Sequence, residues 1–437
     1  MGVKISGLTA KGATIADTDL VEVSQSAGGG LYTSRSVTGA NIKALVTDAN
    51  MTTSDITTND VSTAKHGFAP KAPNDTTKFL RGDATWAVPA SGGLTEFTEA
   101  ETTAAPNATV PVNSLTPVTA ATNADFAIVP KGTGAILADI PDNTTTGGNK
   151  RGANAVDLQT TRTNANQVAA GDRNVLLGSN SRTSNVDSVA IGYAATSTGG
   201  YSVAFSQSTA SGLSSFSHGS RCTSSGSGSV AFGSYTYGDI IASGDNSFAV
   251  GEGGTASGRG SVVLGGYASV ASGTHSYAFG KNADTFGIAG RMVKSYSLDG
   301  INISGHCQAS TFLLSVRTTG NTATTVTVGA TAASATNQVI LSNQSASRFK
   351  GTIVGKQSGS VNAAVWDIDG FIVRGANAAA TTLNVSNVTL VQNTPAWGTP
   401  TLAADTTNGG LRVQVTGAAA TNIQWTCTIE TTEVIYA

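Results

Sequence analysis

The sequence predicts an all-β chain, in which a repetitive β-solenoid is followed by a β-sandwich. Charged residues are only 12% of its 437 residues, against about 25% in an average globular domain. Gly, Ala, Ser, Thr and Asn take their place, so strong helix formers are scarce, whereas Thr and Val suit half-buried strands. A short motif also recurs through the middle of the chain, and alternating runs typical of strands follow it to the end.

Charge and cysteine content exclude several classes of partner. The formal net charge of −2 gives no electrostatic reason to expect nucleic acid or an anionic membrane. No apolar run is long enough to span a bilayer, and the start MGVKISGLTA lacks the apolar stretch of a secretory signal. Cys222, Cys307 and Cys427 lie far apart and are predicted to be free thiols of a protein made in a reducing cytosol. We find no pattern that predicts a cofactor or metal ion.

The proline-containing segment of the N-terminal third is predicted to be an extended connector. Pro70, Pro73 and Pro89 disfavour both helix and central strand. We therefore divide this part into an N-terminal region (1–60), an extended connector with turns (61–90), a small β region (91–140) and a linker (141–171).

From 172 to 290 the chain repeats itself. A small residue recurs at Gly178, Gly192, Ser206, Gly219, Gly233, Gly251, Gly265 and Gly280, at intervals of 13 to 15 residues with a single interval of 18. The three positions before it alternate large apolar, small and large apolar, as in Val189, Ala190 and Ile191, which predicts a strand with unlike faces. A second short strand, such as STASG at 208–212, completes the unit and ends in a glycine expected to take positive φ.

Each unit is therefore predicted to be one thin coil of a solenoid. We expect the large apolar residues to fill the coil and to stack on those of the coil before. These predicted core residues are Val189, Ile191, Val203, Phe205, Val230, Phe232, Phe248, Val250, Val262, Leu264, Tyr277 and Phe279. The small column would then face outward, where neighbouring chains could approach it closely. The predicted trimer contacts are Ala190, Ala204, Ala231, Ala249 and Ala278.

The repeat resembles the head repeats of trimeric autotransporter adhesins. The likeness rests on eight SVAIG-type units with an A-x-A-S-G-like second half, over about 172–282. It implies a left-handed parallel β-roll assembled as a homotrimer. Three features depart from the pattern: Ser206 replaces glycine, His218 stands in an apolar column, and the unit at 233–251 is longer. We interpret His218 as a core histidine and the extra residues as an outward loop with Tyr235 and Tyr237 as candidate receptor contacts.

The N-terminal third resembles bacteriophage tail fibres and related virion proteins. VSTAKHGFAPKAPNDTTKFLRGDATWAVP from Val61, LVEVSQ from Leu20, VTGANIKAL from Val37 and IVPKGTGAILADIPDNTTTGGNKRGANAVDLQ from Ile128 carry this likeness. It implies that residues 1–60 attach the chain to phage tail or baseplate proteins. The expected location is the virion.

Residues 291–437 are predicted to form a β-sandwich tip. Seven alternating runs are separated by Gly, Asn and Ala-rich turns; they are TFLLSV, TTVTVG, NQVILSN, FKGTIVG, NVTLVQN, LRVQVTG and IQWTCTI. Trp366 and Trp425 are interpreted as core, and Trp397, between prolines, as a candidate surface ring for a receptor. The tripeptide Arg81-Gly82-Asp83 is interpreted as a turn. DIDG at 367–370 is too poor in carboxylates for a calcium loop and is predicted to be a hairpin turn.

These features together predict a receptor-binding tail fibre that attaches a phage to a bacterial surface glycan or protein, with avidity from its three tips. A purely structural fibre and a tailspike glycan depolymerase are the alternatives. Glycan cleavage usually needs two carboxylates at a fixed separation, whereas the acidic residues of the solenoid are predicted to lie in turns. They are Asp172, Asp187, Asp239, Asp245, Glu252 and Asp284. We therefore predict that the chain is not an enzyme.

Overall fold

The computed structural model describes residues 18, 20–26, 32–41, 73–83, 85–89, 97–106, 109–119, 122–234, 238–296, 303–394 and 396–436. Strands dominate it, which confirms the all-β prediction. The chain divides into two compact units, 1–127 and 128–437.

Three antiparallel hairpins are found in the described part of the first unit. Their strands are β1 (Leu20–Ser26), β2 (Tyr32–Thr38), β3 (Phe79–Leu80), β4 (Trp86–Ala87), β5 (Phe97–Thr102) and β6 (Val112–Pro117). The turn between β3 and β4 contains Arg81, Gly82 and Asp83, as predicted. The Asp83 carboxylate accepts a hydrogen bond of 2.6 Å from the Thr85 hydroxyl, which closes this turn.

The second unit begins with a two-sided parallel roll. One side belongs to a large sheet and consists of β7 (Ile136–Leu137), β8 (Val156–Gln159), β9 (Val175–Ser179), β11 (Val189–Tyr193), β13 (Val203–Phe205), β15 (Phe216–His218), β17 (Val230–Gly233), β19 (Phe248–Glu252), β21 (Val262–Tyr267), β23 (Tyr277–Lys281) and β24 (Met292–Tyr296). The other side is a sheet of β10 (Arg182–Thr183), β12 (Thr196–Ser197), β14 (Thr209–Ala210), β16 (Cys222–Ser224), β18 (Ile240–Ala242), β20 (Thr255–Ala256) and β22 (Val270–Ala271).

The register of the roll confirms the predicted repeat. Val189 lies between Val175 and Val203 of the neighbouring coils, and Gly192 lies beside Gly178. The parallel ladder is longer than predicted at both ends. It begins at β7 and includes β8, which lies in the segment predicted to be a linker, and it extends past the last repeat to β24.

The small column and the large apolar column of the repeat point in the directions opposite to those predicted. Ala190, Ala204, Ala231, Ala249 and Ala278 have no exposed surface and point into their own coil, so they cannot contact another chain. Small residues of the second strand, such as Ser197 and Ala210, meet them from the other side. Because the coil is only two strands thick, its interior is filled mainly by Ala and Ser, with larger residues only at a few positions such as Leu176 and Val263.

The bulky residues predicted to form the core therefore lie on the outer surface of the roll. All twelve are half-buried or exposed; they are Val189, Ile191, Val203, Phe205, Val230, Phe232, Phe248, Val250, Val262, Leu264, Tyr277 and Phe279. The exposed fractions reach 46% at Phe232 and 41% at Leu264. We call these twelve residues the outward column.

The turn glycines are required for a reason other than the predicted positive φ. Gly212 and Gly258 lie where successive coils approach most closely. A Cβ at Gly212 would be 2.0 Å from the carbonyl oxygen of Gly226, and a Cβ at Gly258 would be 2.1 Å from that of Gly273. Any side chain would therefore push neighbouring coils apart.

A buried ionic cluster closes the N-terminal end of the roll. Asp157 lies between two arginines: Arg151 Nε donates to its carboxylate at 2.7 Å, and Arg162 Nη2 lies 3.6 Å away. Arg162 also pairs with Asp139 at 2.8 Å, and the side chains of both arginines are at most 1% exposed. Arg151 and Arg162 additionally donate to backbone carbonyls, so the cluster provides partners for polar groups that no preceding coil covers.

The C-terminal part is a β-sandwich, as predicted. Its strands are β25 (Cys307–Thr318), β26 (Ala323–Thr325), β27 (Val339–Ile340), β28 (Ser345–Gln357), β29 (Ala363–Arg374), β30 (Thr381–Thr394), β31 (Gly398–Asp405), β32 (Gly410–Thr416) and β33 (Ile423–Ile435). Short 3-10 turns lie at Val328–Ala330 and Ala378–Ala380. The large sheet continues from β24 through β25, β33, β28, β29 and β30, and β26, β27, β31 and β32 form the second sheet.

The two sheets enclose one core. Phe312, Leu314 and Trp425 of the large sheet pack with Val413 and Val415 of the second. Each of the seven predicted runs contributes to a strand of this sandwich.

The predicted hairpin turn at DIDG is wrong. Residues 367–370 lie inside the continuous strand β29, where Ile368 is buried while Asp367 and Asp369 point to the opposite face. Gly370 continues the strand because its missing side chain leaves space for the ring of Phe349.

Candidate functional site

The outward column is an apolar surface that a single chain leaves uncovered. Its aromatic rings have aromatic neighbours: the Phe205 ring centroid is 5.9 Å from that of Phe216 on the next coil, and within one strand the Tyr277 and Phe279 centroids are 6.4 Å apart. Soluble proteins rarely expose a continuous apolar surface of this kind unless something binds to it. The outward column is therefore a candidate interaction surface.

His218 belongs to this surface and not to the core. It is exposed, and its ring stacks on Phe232 with centroids 5.0 Å apart and an interplanar angle of 16°. Its ring centroid also lies 5.7 Å from that of Phe205. The predicted core histidine is thus a ring inserted into the aromatic row.

The outer face of the roll continues without a break onto the sandwich. Phe279 is in register with Lys294, which is opposite Ala309 of β25. Across the sandwich, every second residue of β25, β33, β28 and β29 lies on this face, and these residues form cross-strand rows. Two neighbouring rows carry paired charges: Lys350 lies 3.0 Å from Glu430, and Arg348 lies 2.8 Å from Asp369.

A buried polar cluster joins the last coil to the sandwich. Arg291, only 1% exposed, pairs with Glu433 and donates to the Ser310 hydroxyl at 3.0 Å. Its guanidinium carbon also lies 5.3 Å from the ring centroid of Phe312. Burial by itself raises the pKa of Glu433, but the charge of Arg291 and the surrounding hydrogen bonds outweigh it, so the pKa lies below its ordinary value.

The pKa of the neighbouring carboxyl, that of Asp284, is shifted in the opposite direction. Burial raises the pKa of Asp284, partly offset by a backbone hydrogen bond and by Arg291. Gln308 connects the two acids, because its side-chain amide donates to the Asp284 carbonyl and to the Glu433 carboxylate, each at 3.1 Å.

Trp397 is not a surface ring. It is 5% exposed and packs edge-on against Trp425 with centroids 5.5 Å apart, and Trp366 lies 5.9 Å from Trp425 on another side. Asn393 holds it from both directions, by accepting from the Trp397 backbone amide and donating to its carbonyl, each at 2.8 Å. The predicted receptor contact at Trp397 is therefore wrong. The other two predicted contacts, Tyr235 and Tyr237, lie outside the described residues.

The prediction of free thiols is confirmed for all three cysteines. Cys222 and Cys427 are buried and Cys307 is half-buried. Burial raises the pKa of the Cys427 thiol to about 12 and that of Cys222 to about 11.

Sequence reasoning missed the charged face of the sandwich. Arg348, Lys350 and Lys356 stand at even intervals along β28, and the odd-numbered residues between them are buried or half-buried. This alternation is the signal of one polar strand face. The acidic partners of Arg348 and Lys350 lie on β29 and β33, which are distant in sequence. The pattern alone therefore cannot show which charges are paired.

The described residues contain neither a metal-binding side-chain cluster nor a membrane-spanning helix. Within the described ranges, no cluster of three or more His, Cys, Asp or Glu side chains is arranged to hold a metal ion. Among the same residues, no helix has the length and apolar character needed to cross a membrane.

Comparison with known families agrees with the repeat geometry. A family model for the YadA head domain repeat matches residues 184–205, 242–268 and 266–283. These segments are similar to YadA head domain repeats. The resemblance to adhesin heads is thereby confirmed for the roll, and the departures at Ser206 and His218 lie between the matched YadA segments. No curated protein matches the chain.

Among solved structures, two phage proteins are similar in part. One is the tailspike protein gp49 from Acinetobacter baumannii bacteriophage Fri1, a capsular polysaccharide depolymerase, at 9% identity over 68% of this chain and 49% of that chain, with a TM-score of 0.20. The other is the tailspike protein of Acinetobacter baumannii phage AM24, at 10% identity over 65% and 54%, with a TM-score of 0.17. The chain spans about half the length of these proteins.

The prediction that the chain is not an enzyme is contradicted by this comparison and is withdrawn, because the first of these proteins is itself a depolymerase. TM-scores this low carry no argument about the activity of the present chain.

Proposed function

We propose that the chain is a homotrimeric bacteriophage tail fibre that attaches the virion to a bacterial surface. In this proposal residues 1–60 dock on tail or baseplate proteins, the roll forms the shaft, and the C-terminal sandwich contacts a surface glycan or protein. A purely structural fibre, with the receptor site on another protein, is the alternative.

The observation that carries the proposal is the outward column. Large apolar side chains repeat on one face of every coil, and their burial between chains would be favourable at about 25 cal/mol for each Å² removed from water. Because each coil presents the same face, three chains arranged around one axis could cover the column along the whole roll. The proposed trimer contacts are thus the bulky residues, in place of the alanines.

The position of the sandwich supports a role at the tip. β30 is the last strand of the large sheet, at the opposite end of the strand order from β7. The sandwich also breaks the repeat, and recognition usually resides in non-repetitive loops on a rigid scaffold. A protein can both bind and cleave a polysaccharide. For this chain we propose binding.

The experiment uses the full chain, labelled with a fluorophore, on a panel of encapsulated and capsule-deficient bacterial strains. Fab fragments raised against the sandwich should abolish labelling, whereas Fab fragments raised against residues 1–127 should not. Block by the second antibody alone, or labelling of no strain, would contradict the assignment. Labelling that neither antibody blocks would favour a receptor site on the roll.

A further inference from the structure

We propose that a cationic groove at one end of the large sheet binds the anionic group of a surface sugar, a carboxylate or a phosphate. This inference rests on the proposed function and specifies the ligand class of the sandwich. The groove encloses about 600 Å³, within the range of about 300–1,000 Å³ typical of small-ligand sites.

The groove is centred on one cross-strand row. Arg317 of β25 is opposite Gln424 of β33, which is opposite Lys356 of β28. All three residues are exposed on the outer face. Since adjacent strands are about 4.8 Å apart, the two cations are separated by roughly 10 Å at the backbone. That spacing allows both side chains to reach one anionic group between them.

Among the described residues, no carboxylate pairs with the cations of this row. The groove is lined by ten residues, none of them acidic: Arg317, Thr319, Val354, Lys356, Gln357, Ser358, Asn422, Ile423, Gln424 and Thr426. Among the described residues, Arg317 makes no ion pair, and Lys356 donates only to the carbonyls of Gln357 and Ser360. Lys350 and Arg348, on the same strand, do have carboxylate partners. An anion bound here would supply the charge that the protein does not.

The other lining groups suit a sugar. The side-chain amides of Gln424 and Asn422 can donate to and accept from hydroxyls. Asn362 donates to Gln357 Oε1 at 2.8 Å, so the amide nitrogen of Gln357 remains available to a ligand. Thr426 and Val354 offer methyl groups at the base of the groove.

The groove is separate from the proposed assembly surface. The outward column reaches the sandwich through Met292 and Lys294, which pair with Thr311 and Ala309. Arg317 lies six residues beyond Thr311 along β25, or about 20 Å at 3.4 Å per residue. The contacts proposed for the trimer therefore do not include the groove residues.

The first test needs no host. Thermal unfolding of the full chain is followed at constant ionic strength with galacturonate, inorganic phosphate or neutral galactose. We expect galacturonate, phosphate or both to raise the melting temperature by about 2 °C, galactose to leave it unchanged, and Arg317→Gln/Lys356→Gln to abolish the rise. The matched control Arg348→Gln/Lys350→Gln removes the same charge from the same face of β28 and should keep it. No rise with either anion, or a rise that the first double variant retains, would overturn the proposal.

The second test separates this inference from the proposed function. Surface polysaccharide is purified from a strain that the full chain labels, and is then carboxyl-reduced or dephosphorylated. One of these treatments should weaken binding at least about tenfold, as should Arg317→Gln/Lys356→Gln, and the effective treatment identifies the anion. If cells are labelled but neither treatment weakens binding, the groove assignment fails while surface attachment stands. If no strain is labelled, the attachment function itself fails, and the first test still decides whether the groove binds an anion.

Discussion

Arg291 and Glu433 form a buried ion pair between residues 142 positions apart, the first just before the last strand of the roll and the second on the last strand of the sandwich. Ser310, Gln308 and Thr431 complete their hydrogen bonds. This pair ties the last coil of the roll to the last strand of the sandwich.

Replacing one partner of this pair should be costly. Glu433→Gln leaves the Arg291 charge buried and uncompensated, and we expect a loss of about 3–5 kcal/mol in the free energy of unfolding. The measurement is guanidinium unfolding followed by tryptophan fluorescence, since three of the four tryptophans lie in the sandwich. Glu430→Gln is the control, because its partner Lys350 is 73% exposed, and should cost under about 1 kcal/mol. Equal losses in both variants would show that the buried pair has no special weight.

The contribution of Glu433 should depend on pH. Its pKa in the folded chain lies below its ordinary value because of the Arg291 charge and the surrounding hydrogen bonds. Its stabilisation is therefore fully present above the ordinary, unfolded-state pKa and is lost as pH falls through the folded pKa. Asp284, whose pKa is raised, acts with the opposite sign, but it is common to wild type and Glu433→Gln. The stability difference between these two proteins should therefore shrink from neutral pH towards about pH 3. A difference that stays constant would contradict the assigned charge state.

The interior of the roll should reject larger side chains. Ala231 has no exposed surface, and Ala231→Leu would force an additional isopropyl group into a closed coil, at a cost of about 1–3 kcal/mol. Val230→Leu, the adjacent outward position, is the control and should change the melting temperature little. Unchanged melting of Ala231→Leu would mean that the small column is outside after all.

The outward column should control assembly. Phe232→Thr/Leu264→Thr removes two of its most exposed apolar groups without disturbing the coil interior, so we expect weaker association at unchanged secondary structure. Light scattering over a range of concentrations gives the mass, with Thr209→Ser/Thr255→Ser on the other sheet as the control. A wild-type protein that is monomeric throughout would remove the basis of the trimer proposal.

The sequence contains the repeat but not its orientation. Period-two alternation shows that Val189 and Ile191 share one face and that Ala190 lies on the other, yet the same pattern results whichever face is inside. Hydrophobicity favours the bulky face, and in a thick domain this rule holds. In a coil of two strands the space between the sheets decides, and mostly small residues, above all Ala and Ser, fill it.

Other features failed because they depend on long-range contacts. Trp397 between prolines is typical of a loop, and only its packing on Trp425 shows that it is buried. Arg291 and Glu433 carry no local signal of their pairing. By contrast, the strands of the sandwich were predictable, since alternation along each run is a local property.

Gly370 should not tolerate a side chain. A Cβ there would lie 2.2 Å from the Val385 carbonyl oxygen and 2.4 Å from Phe349 Cζ, so Gly370→Ala must displace a backbone or a core ring, at about 1–3 kcal/mol. Gly320→Ala is the control, since nothing lies within 4 Å of its Cβ. Thermal unfolding of both variants tests this. Similar melting temperatures would mean that DIDG is not held in the middle of a strand.

The three thiols should differ in reactivity. The thiolate is the form that reacts with iodoacetamide, and burial raises the pKa of Cys427 to about 12 and that of Cys222 to about 11, so both remain protonated near neutral pH. Cys307 is half-buried and lies at the start of β25, where a reagent can reach it. Peptide mass spectrometry after timed alkylation should therefore find Cys307 modified first, and Cys427 modified only once guanidinium unfolds the sandwich. Because Cys427 packs in the same core as Trp425, its modification should coincide with the loss of native tryptophan fluorescence. Alkylation of Cys427 in the native protein at the rate seen for Cys307 would show that the sandwich core opens without global unfolding.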